Sequence, residues 1–178
     1  MMFDFQDKVA VITGSSRGIG RAAAEAFAKV GAKVVVSSRS ESSCQPVVDA
    51  ILDAGGQAIA IPCHIGHEDQ LENLIEKTMA HFGQLDALIC NAASNPVFGP
   101  SSQLDHEAYQ LIMNNNVWSN LRLSHLAAPH LAKTQGAIVM VSSISGLLGT
   151  QMLGAYAMSK AAEMQLIRNL AGELGAQK

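Results

Sequence analysis

The segment Val9-Ala-Val-Ile-Thr-Gly-Ser-Ser-Arg-Gly-Ile-Gly20 passes from strand to turn to helix without an intervening loop. Val9 to Ile12 is a short apolar run that reads as a buried strand. Thr13 to Gly20 follows as a glycine-rich turn. A helical pattern opens at once. Ile19, Ala22, Ala23, Ala26, Phe27 and Val30 are expected on one buried face, and Gly31 is expected to end the helix. A strand, a glycine turn and a helix N-terminus make an anion site, because free N–H groups and the helix dipole point at the ligand. The glycines permit tight turning and close approach of the backbone to a pyrophosphate.

Outward from this segment the chain alternates strand and helix, without repeats or low-complexity linkers. Strands are predicted near 8–13, 33–38, 57–62, 86–90 and 137–142. Helices are predicted near 18–30, 42–54, 68–82, 105–132 and 152–174. Gly55-Gly56 and Gly83 read as helix stops, and Pro129 should end or kink the long fourth helix. Apolar, β-branched strands alternating with helices imply a parallel sheet covered on both faces, an α/β doubly wound single domain over residues 1–178. Leu71, Leu74, Ile75, Thr78 and Phe82 read as a core stripe. Met152, Met158 and Met164 read as packing residues, Met152 lying near the candidate substrate loop. Asp86 reads as a hydrogen-bonding residue at a strand start and Asp105 as a helix N-cap.

Composition excludes several classes. The chain has 178 residues, is 48% hydrophobic and carries a net charge of −3, enough to bury a core and without the basic excess of a nucleic-acid binder. No stretch reaches membrane-spanning length, and the N-terminus lacks the pattern of a signal peptide. Cys44, Cys63 and Cys90 have no metal-ligand or redox-pair spacing and read as buried free thiols of a reducing, cytoplasmic compartment. His64 and His67 are the closest histidine pair, with no third ligand in view, so no metal site is expected.

The chemistry is carried by Tyr156-x-x-x-Lys160, with Ser143 thirteen positions upstream of the tyrosine. Positions i and i+4 share a helix face, so a phenol and an ammonium can act in one place. An adjacent ammonium favours the phenolate, which brings a phenol of ordinary pKa roughly 10 into use near neutrality. Ser143 can hold a substrate oxygen. Cofactor choice is readable at the end of the second strand. An acidic residue there accepts from a ribose 2′-hydroxyl and repels a 2′-phosphate; an arginine does the reverse. The sequence has Ser38-Arg39 at that turn, and Arg17 adds a second positive charge.

Together these motifs resemble the short-chain dehydrogenase/reductase family. Thr13 to Gly20 match its T-G-x-x-x-G-x-G pattern, Cys90-Asn91-Ala92-Ala93 is similar to its N-N-A-G segment, and Ser143, Tyr156 and Lys160 match its active-site order and spacing. Val36-Ser-Ser-Arg39, Cys63-His-Ile-Gly66 and Asn91-Ala-Ala-Ser-Asn-Pro96 resemble its NADP-dependent retinal and carbonyl reductase branch, of the dehydrogenase/reductase member-four type. The resemblance implies a Rossmann-type fold and an NADPH-dependent reduction of an aldehyde or ketone to an alcohol, or the reverse. It implies that Ser143, Tyr156, Lys160 and Asn116 are catalytic, with Asn116 holding a relay water. It places NADP(H) on Gly14, Ser16, Arg17, Gly18, Ile19, Gly20, Ser38, Arg39, His64, Ile65, Asn91, Ala92, Ala93, Tyr156 and Lys160. Ser143, Ser145 and Asn95 are its candidate substrate residues. His64 departs from the pattern, standing where many members have an aspartate against the adenine amino group. A homodimer or homotetramer, built partly on the helix bearing Tyr156, is implied as well. Family domains run to about 250 residues, so a sixth strand, a substrate lid and a last strand are expected beyond this chain. A 3-oxoacyl-carrier-protein reductase shares the same catalytic residues, and a non-catalytic NADP-binding regulator shares the cleft.

Overall fold

The computed structural model describes residues 4–175. Five strands form one parallel sheet: β1 (Val9–Thr13), β2 (Lys33–Ser37), β3 (Gln57–Ala60), β4 (Ala87–Cys90) and β5 (Ala137–Met140). Their spatial order is β3-β2-β1-β4-β5, with Val11 opposite Val35 on one side and Leu88 on the other. The helices are α1 (Gly18–Lys29), α2 (Glu41–Asp53), α3 (Glu68–Phe82), α4 (His106–Met113), α5 (Ser119–Thr134) and α6 (Gly154–Leu174). This is the Rossmann-like arrangement that the strand-helix alternation predicts.

Alternation along the strands sends side chains to two cores. Ala10, Ile12, Val34 and Val36 join Ala24 of α1 and Val47, Val48 and Ile51 of α2. Val11, Val35 and Leu88 join Leu71, Leu74 and Ile75 of α3 and Leu123, Ala127 and Leu131 of α5. Each fully buried Val, Leu or Ile contributes roughly 1.5–3 kcal/mol. The continuous apolar runs of β1 and β2 therefore reflect a sheet covered on both faces. β5 is different: it lies at the edge, and its residues are at least partly exposed.

Local signals settle most boundaries. Gly83 caps α3 in the left-handed region at φ 72°, and Gly55 follows α2 at φ 82°. Asp105 caps α4 by accepting from the Ala108 N–H at 2.7 Å. Asp86 accepts from the Val9 N–H at 2.8 Å and so holds the start of β1.

Three expectations are corrected. The buried side of α1 is Gly20 and Ala24, with Phe27 and Ala28 packed beside them, whereas Ile19 is 68% exposed and Ala22 and Ala26 face out. The apolar stripe was offset because alanines are equally at home on either face. Pro129 does not end its helix, which continues to Thr134. Pro129 and His125 are both exposed, so water can satisfy the carbonyl that the proline frees. The interruption falls instead at Asn114–Trp118, a π-helical turn between α4 and α5. The Ser119 hydroxyl donates to the Asn115 carbonyl at 2.5 Å and the Asn120 amide donates to the Asn116 carbonyl at 2.7 Å. Met152 and Met158 are 39% and 47% exposed and so are not core residues.

Candidate active site

In a sheet of this order the chain leaves β1 toward β2 on one side and returns to β4 on the other, opening a crevice at the carboxyl ends of β1 and β4. The glycine turn fills its floor. Gly14 takes φ 66° and Gly18 φ 56°. A Cβ on Gly20 would stand 2.4 Å from the Gly14 carbonyl oxygen, so helix and turn pack as closely as glycine allows. Arg17 is the extended N-cap of α1, and no side chain caps the first-turn N–H groups. No acidic residue occupies that first turn either. Backbone donors with no side-chain partner at a helix N-terminus fit a pyrophosphate.

The walls come from the other strand ends. Gly14, Ser16, Arg17, Gly18 and Ile19 line the cleft with Ser38, Arg39, His64, Asn91, Ala92 and Ala93, and with Ser94 and Asn115. The Ser16 hydroxyl donates to Ser38 Oγ at 3.1 Å, joining the turn to the end of β2. Asn91 ties the floor together: its Nδ2 donates to the Thr13 and Gly14 carbonyls at 2.9 and 3.1 Å. Four residues assigned to the cofactor are not among these lining residues: Gly20, Ile65, Tyr156 and Lys160. Gly20 is buried beneath the turn, and Ile65 packs against the α3 side of the core. His64 Nδ1 accepts from the Gly66 N–H at 3.1 Å. Burial, then the neighbouring His67 and Arg39, hold its pKa below the ordinary value. The two histidine rings meet edge to face at 4.7 Å.

The Ser143 turn packs on α6 beyond the end of β5, where the Ser142 hydroxyl donates to the Lys160 carbonyl at 3.1 Å and Tyr156 lies one helical turn before Lys160. Ser143 caps a short 3-10 turn, Ile144–Gly146. Gly146 lets this turn lie on α6, since a Cβ there would stand 2.8 Å from the Lys160 carbonyl carbon. The Ser143 hydroxyl oxygen accepts from the Ser145 N–H at 3.2 Å and lies 2.9 Å from the Ser145 hydroxyl. Lys160 Nζ stands 5.6 Å from the centre of the Tyr156 ring. Asn95 is exposed on the loop after β4.

Three features escaped the sequence reading. Lys160 and Glu163 form a buried ion pair, 2% and 1% exposed, with Nζ at 2.8 and 2.9 Å from the two carboxylate oxygens. Nζ also donates to the Val141 carbonyl at 3.0 Å, which uses its third proton. Burial raises the Glu163 pKa, opposed by its bonds to Lys160. An acidic residue three positions beyond the lysine, on a face otherwise packed with small residues, was the available signal. Asn116 is fully buried and its carboxamide is spent on the protein. Its Oδ1 accepts from the Ser94 N–H at 2.8 Å, and its Nδ2 donates to Ser159 Oγ at 2.9 Å. Finally, Phe98, Ile144, Leu147 and Leu148 are each more than 60% exposed, on the two loops that the Gly99–Leu153 bridge joins.

The family description "short chain dehydrogenase" matches residues 8–178. The chain is 36% identical over 168 residues to the human "Dehydrogenase/reductase SDR family member 2, mitochondrial", covering 94% of this chain and 60% of that protein. It is 37% identical over 169 residues to the bovine "Dehydrogenase/reductase SDR family member 4", covering 94% of this chain and 61% of that one. The chain thus spans about three fifths of the length of these curated relatives. Among solved structures, a 7α-hydroxysteroid dehydrogenase complexed with NADH and 7-oxo glycochenodeoxycholic acid superposes with a TM-score of 0.93 at 35% identity. The match covers 98% of this chain and 68% of that one. A hydroxysteroid dehydrogenase from Escherichia coli gives 0.90 at 35% identity over 98% of this chain and 72% of its own. With the family description matching residues 8–178, the chain belongs to the short-chain dehydrogenase family.

Proposed function

We propose that the protein is an NADPH-dependent oxidoreductase that reduces a carbonyl on an apolar aldehyde or ketone to an alcohol, or runs the reverse reaction. The observation that carries this reading is the packing of the Ser143 turn on the helix that bears Tyr156 and Lys160, in one domain with a glycine-lined cleft whose helix N-terminus has no side-chain cap. When bound, the nicotinamide would supply or accept the hydride. In the reductive direction Tyr156 delivers its phenolic proton to the substrate oxygen. Ser143 donates to that oxygen as charge develops. Its oxygen already accepts from Ser145, which leaves the Ser143 proton aimed elsewhere. The Lys160 ammonium stabilises the phenolate left behind. Contact between Lys160 and a ribose hydroxyl requires exchange of one of its present partners. Asn116 fixes the helix that carries the tyrosine. A relay water on it would use its main-chain carbonyl, because the side chain is committed.

NADP preference is supported by Arg17 and Arg39 lining the cleft beside Ser38, with no carboxylate among the lining residues. Phe98, Ile144, Leu147 and Leu148 form an apolar rim on the loop carrying Asn95 and the segment after Ser143, which favours a substrate with an apolar body. Assembly as a homodimer or homotetramer belongs to the same reading, supported by Tyr109, Leu111 and Trp118 exposed on and beside α4. Three buried free thiols support a reducing compartment, the cytoplasm in this reading.

The test is cofactor oxidation by the full-length protein against apolar ketones, aldehydes and an acyl-thioester, with NADPH and NADH in parallel. Turnover of apolar carbonyls with NADPH is expected. Tyr156→Phe should lower kcat by about 10² to 10⁴ and leave dinucleotide binding within a factor of a few. Turnover of the variant within twofold of wild type would remove the tyrosine from the mechanism. Preference for the thioester would move the reading to an acyl-carrier reductase, and binding without turnover to a regulator.

A further inference from the structure

Among the described residues, Lys160 and Glu163 form the only ion pair with both side chains buried, 3% and 1% exposed. Three elements hold it. Lys160 Nζ donates to the two Glu163 carboxylate oxygens at 2.8 and 2.9 Å, within α6, and to the Val141 carbonyl just after β5 at 3.0 Å. From α5, Asn120 Nδ2 donates to Glu163 Oε1 at 3.3 Å. The ammonium has three protons, and all three are taken.

Stability does not explain this arrangement. In a sealed site two well-packed apolar side chains do at least as well, because desolvation of both charges offsets their attraction. The pair lies instead beside the proposed proton donor, with Nζ 5.6 Å from the centre of the Tyr156 ring. It also turns the ammonium inward. A ribose hydroxyl in the cleft can meet Nζ only when the lysine stem swings away from Glu163. That movement leaves a buried carboxylate with neutral donors alone, Asn120 and Ser142, and an uncompensated buried charge is strongly unfavourable.

We propose that Glu163 is a positioning residue that holds the Lys160 ammonium inward, so that contact with the nicotinamide ribose is made only against the loss of the pair. This rests on the reading that NADPH occupies the cleft. A group that stabilises only the ligand-free arrangement lowers the apparent affinity for the ligand. Lys160 therefore adds little to NADPH affinity in the wild type. A neutral side chain at position 163 lets the ammonium leave without stranding a charge, and NADPH then binds more tightly.

The experiment titrates the fluorescence of the full-length protein, without turnover, with NADPH and with adenosine 2′,5′-bisphosphate, which lacks the nicotinamide ribose. Glu163→Gln should bind NADPH about fivefold or more tighter than wild type, and the bisphosphate within about twofold of it. A purely structural role would move both ligands together, and a shared shift overturns the proposal. So does NADPH affinity that is unchanged or weakened in Glu163→Gln, which leaves the cofactor reading in place. Failure of wild type to bind NADPH overturns the cofactor reading itself, and this role with it. If circular dichroism shows Glu163→Gln unfolded, the double variant Lys160→Met, Glu163→Leu decides, since it contains no unpaired charge. It should bind NADPH within about threefold of wild type. A loss of about tenfold or more would show that Lys160 holds the ribose without giving up its pair, and would overturn the proposal.

Discussion

On the proposed reading, one side chain at the end of β2 decides which cofactor the cleft accepts. Ser38 is half-buried, accepts from the Ser16 hydroxyl and is followed by the exposed Arg39. Ser38→Asp places a carboxylate where a 2′-phosphate would lie and should move the ratio of kcat/KM for NADPH over NADH toward NADH by about tenfold or more. An unchanged ratio would place the ribose elsewhere. The Lys160–Glu163 pair shows how a residue escapes sequence reasoning. A Lys-x-x-Glu spacing is common on solvated helix faces, where it is worth a few tenths of a kcal/mol. Here both groups are buried, and removal of one partner would leave an uncompensated charge. Burial separates the two cases, and burial is absent from the spacing.

Two elements frame the cleft, and they differ in how openly the sequence announces them. The glycine turn and α1 were legible because their geometry has few sequence solutions. Positive φ at Gly14 and Gly18 and backbone contact at Gly20 each demand glycine. Gly20→Ala forces a Cβ to within 2.4 Å of the Gly14 carbonyl and 2.5 Å of Asn91 Nδ2. It should cost about 1–3 kcal/mol of stability by denaturant titration and weaken dinucleotide binding as the turn is displaced. A variant as stable as wild type would mean that the turn has slack. The π-helical turn was not legible. Its sequence, Asn114-Asn-Asn-Val-Trp118, carries no helix breaker, whereas the conspicuous Pro129 sits inside α5 without ending it. What fixes the turn is tertiary: Asn116 bonded to Ser94 and Ser159, and Asn120 within 3.3 Å of Glu163.

For the whole molecule, the two cores seal all three thiols. Cys44, Cys63 and Cys90 are 0%, 3% and 2% exposed, and burial pushes the Cys63 and Cys90 thiols up to about 12. At about pH 8 they are neutral as well as shielded, and thiolates are the reactive form. Iodoacetamide should therefore label none in the folded full-length protein and all three in denaturant, with labelling tracking unfolding. Rapid labelling of one cysteine under native conditions would show that its layer opens locally.

The sequence by itself determined the strand-helix order, the parallel sheet and the glycine turn, because each rests on short-range periodicity or on backbone angles that few residues adopt, whereas the Ser143, Tyr156 and Lys160 set stands on the family resemblance. Only the tertiary structure decided which face of α1 is buried, that Lys160 is paired with Glu163 and that Asn115 Oδ1 is buried without a donor. Those are properties of environment. Whether a polar group is solvated, paired or orphaned depends on what other segments bring to within about 3 Å of it, and no local spacing records that.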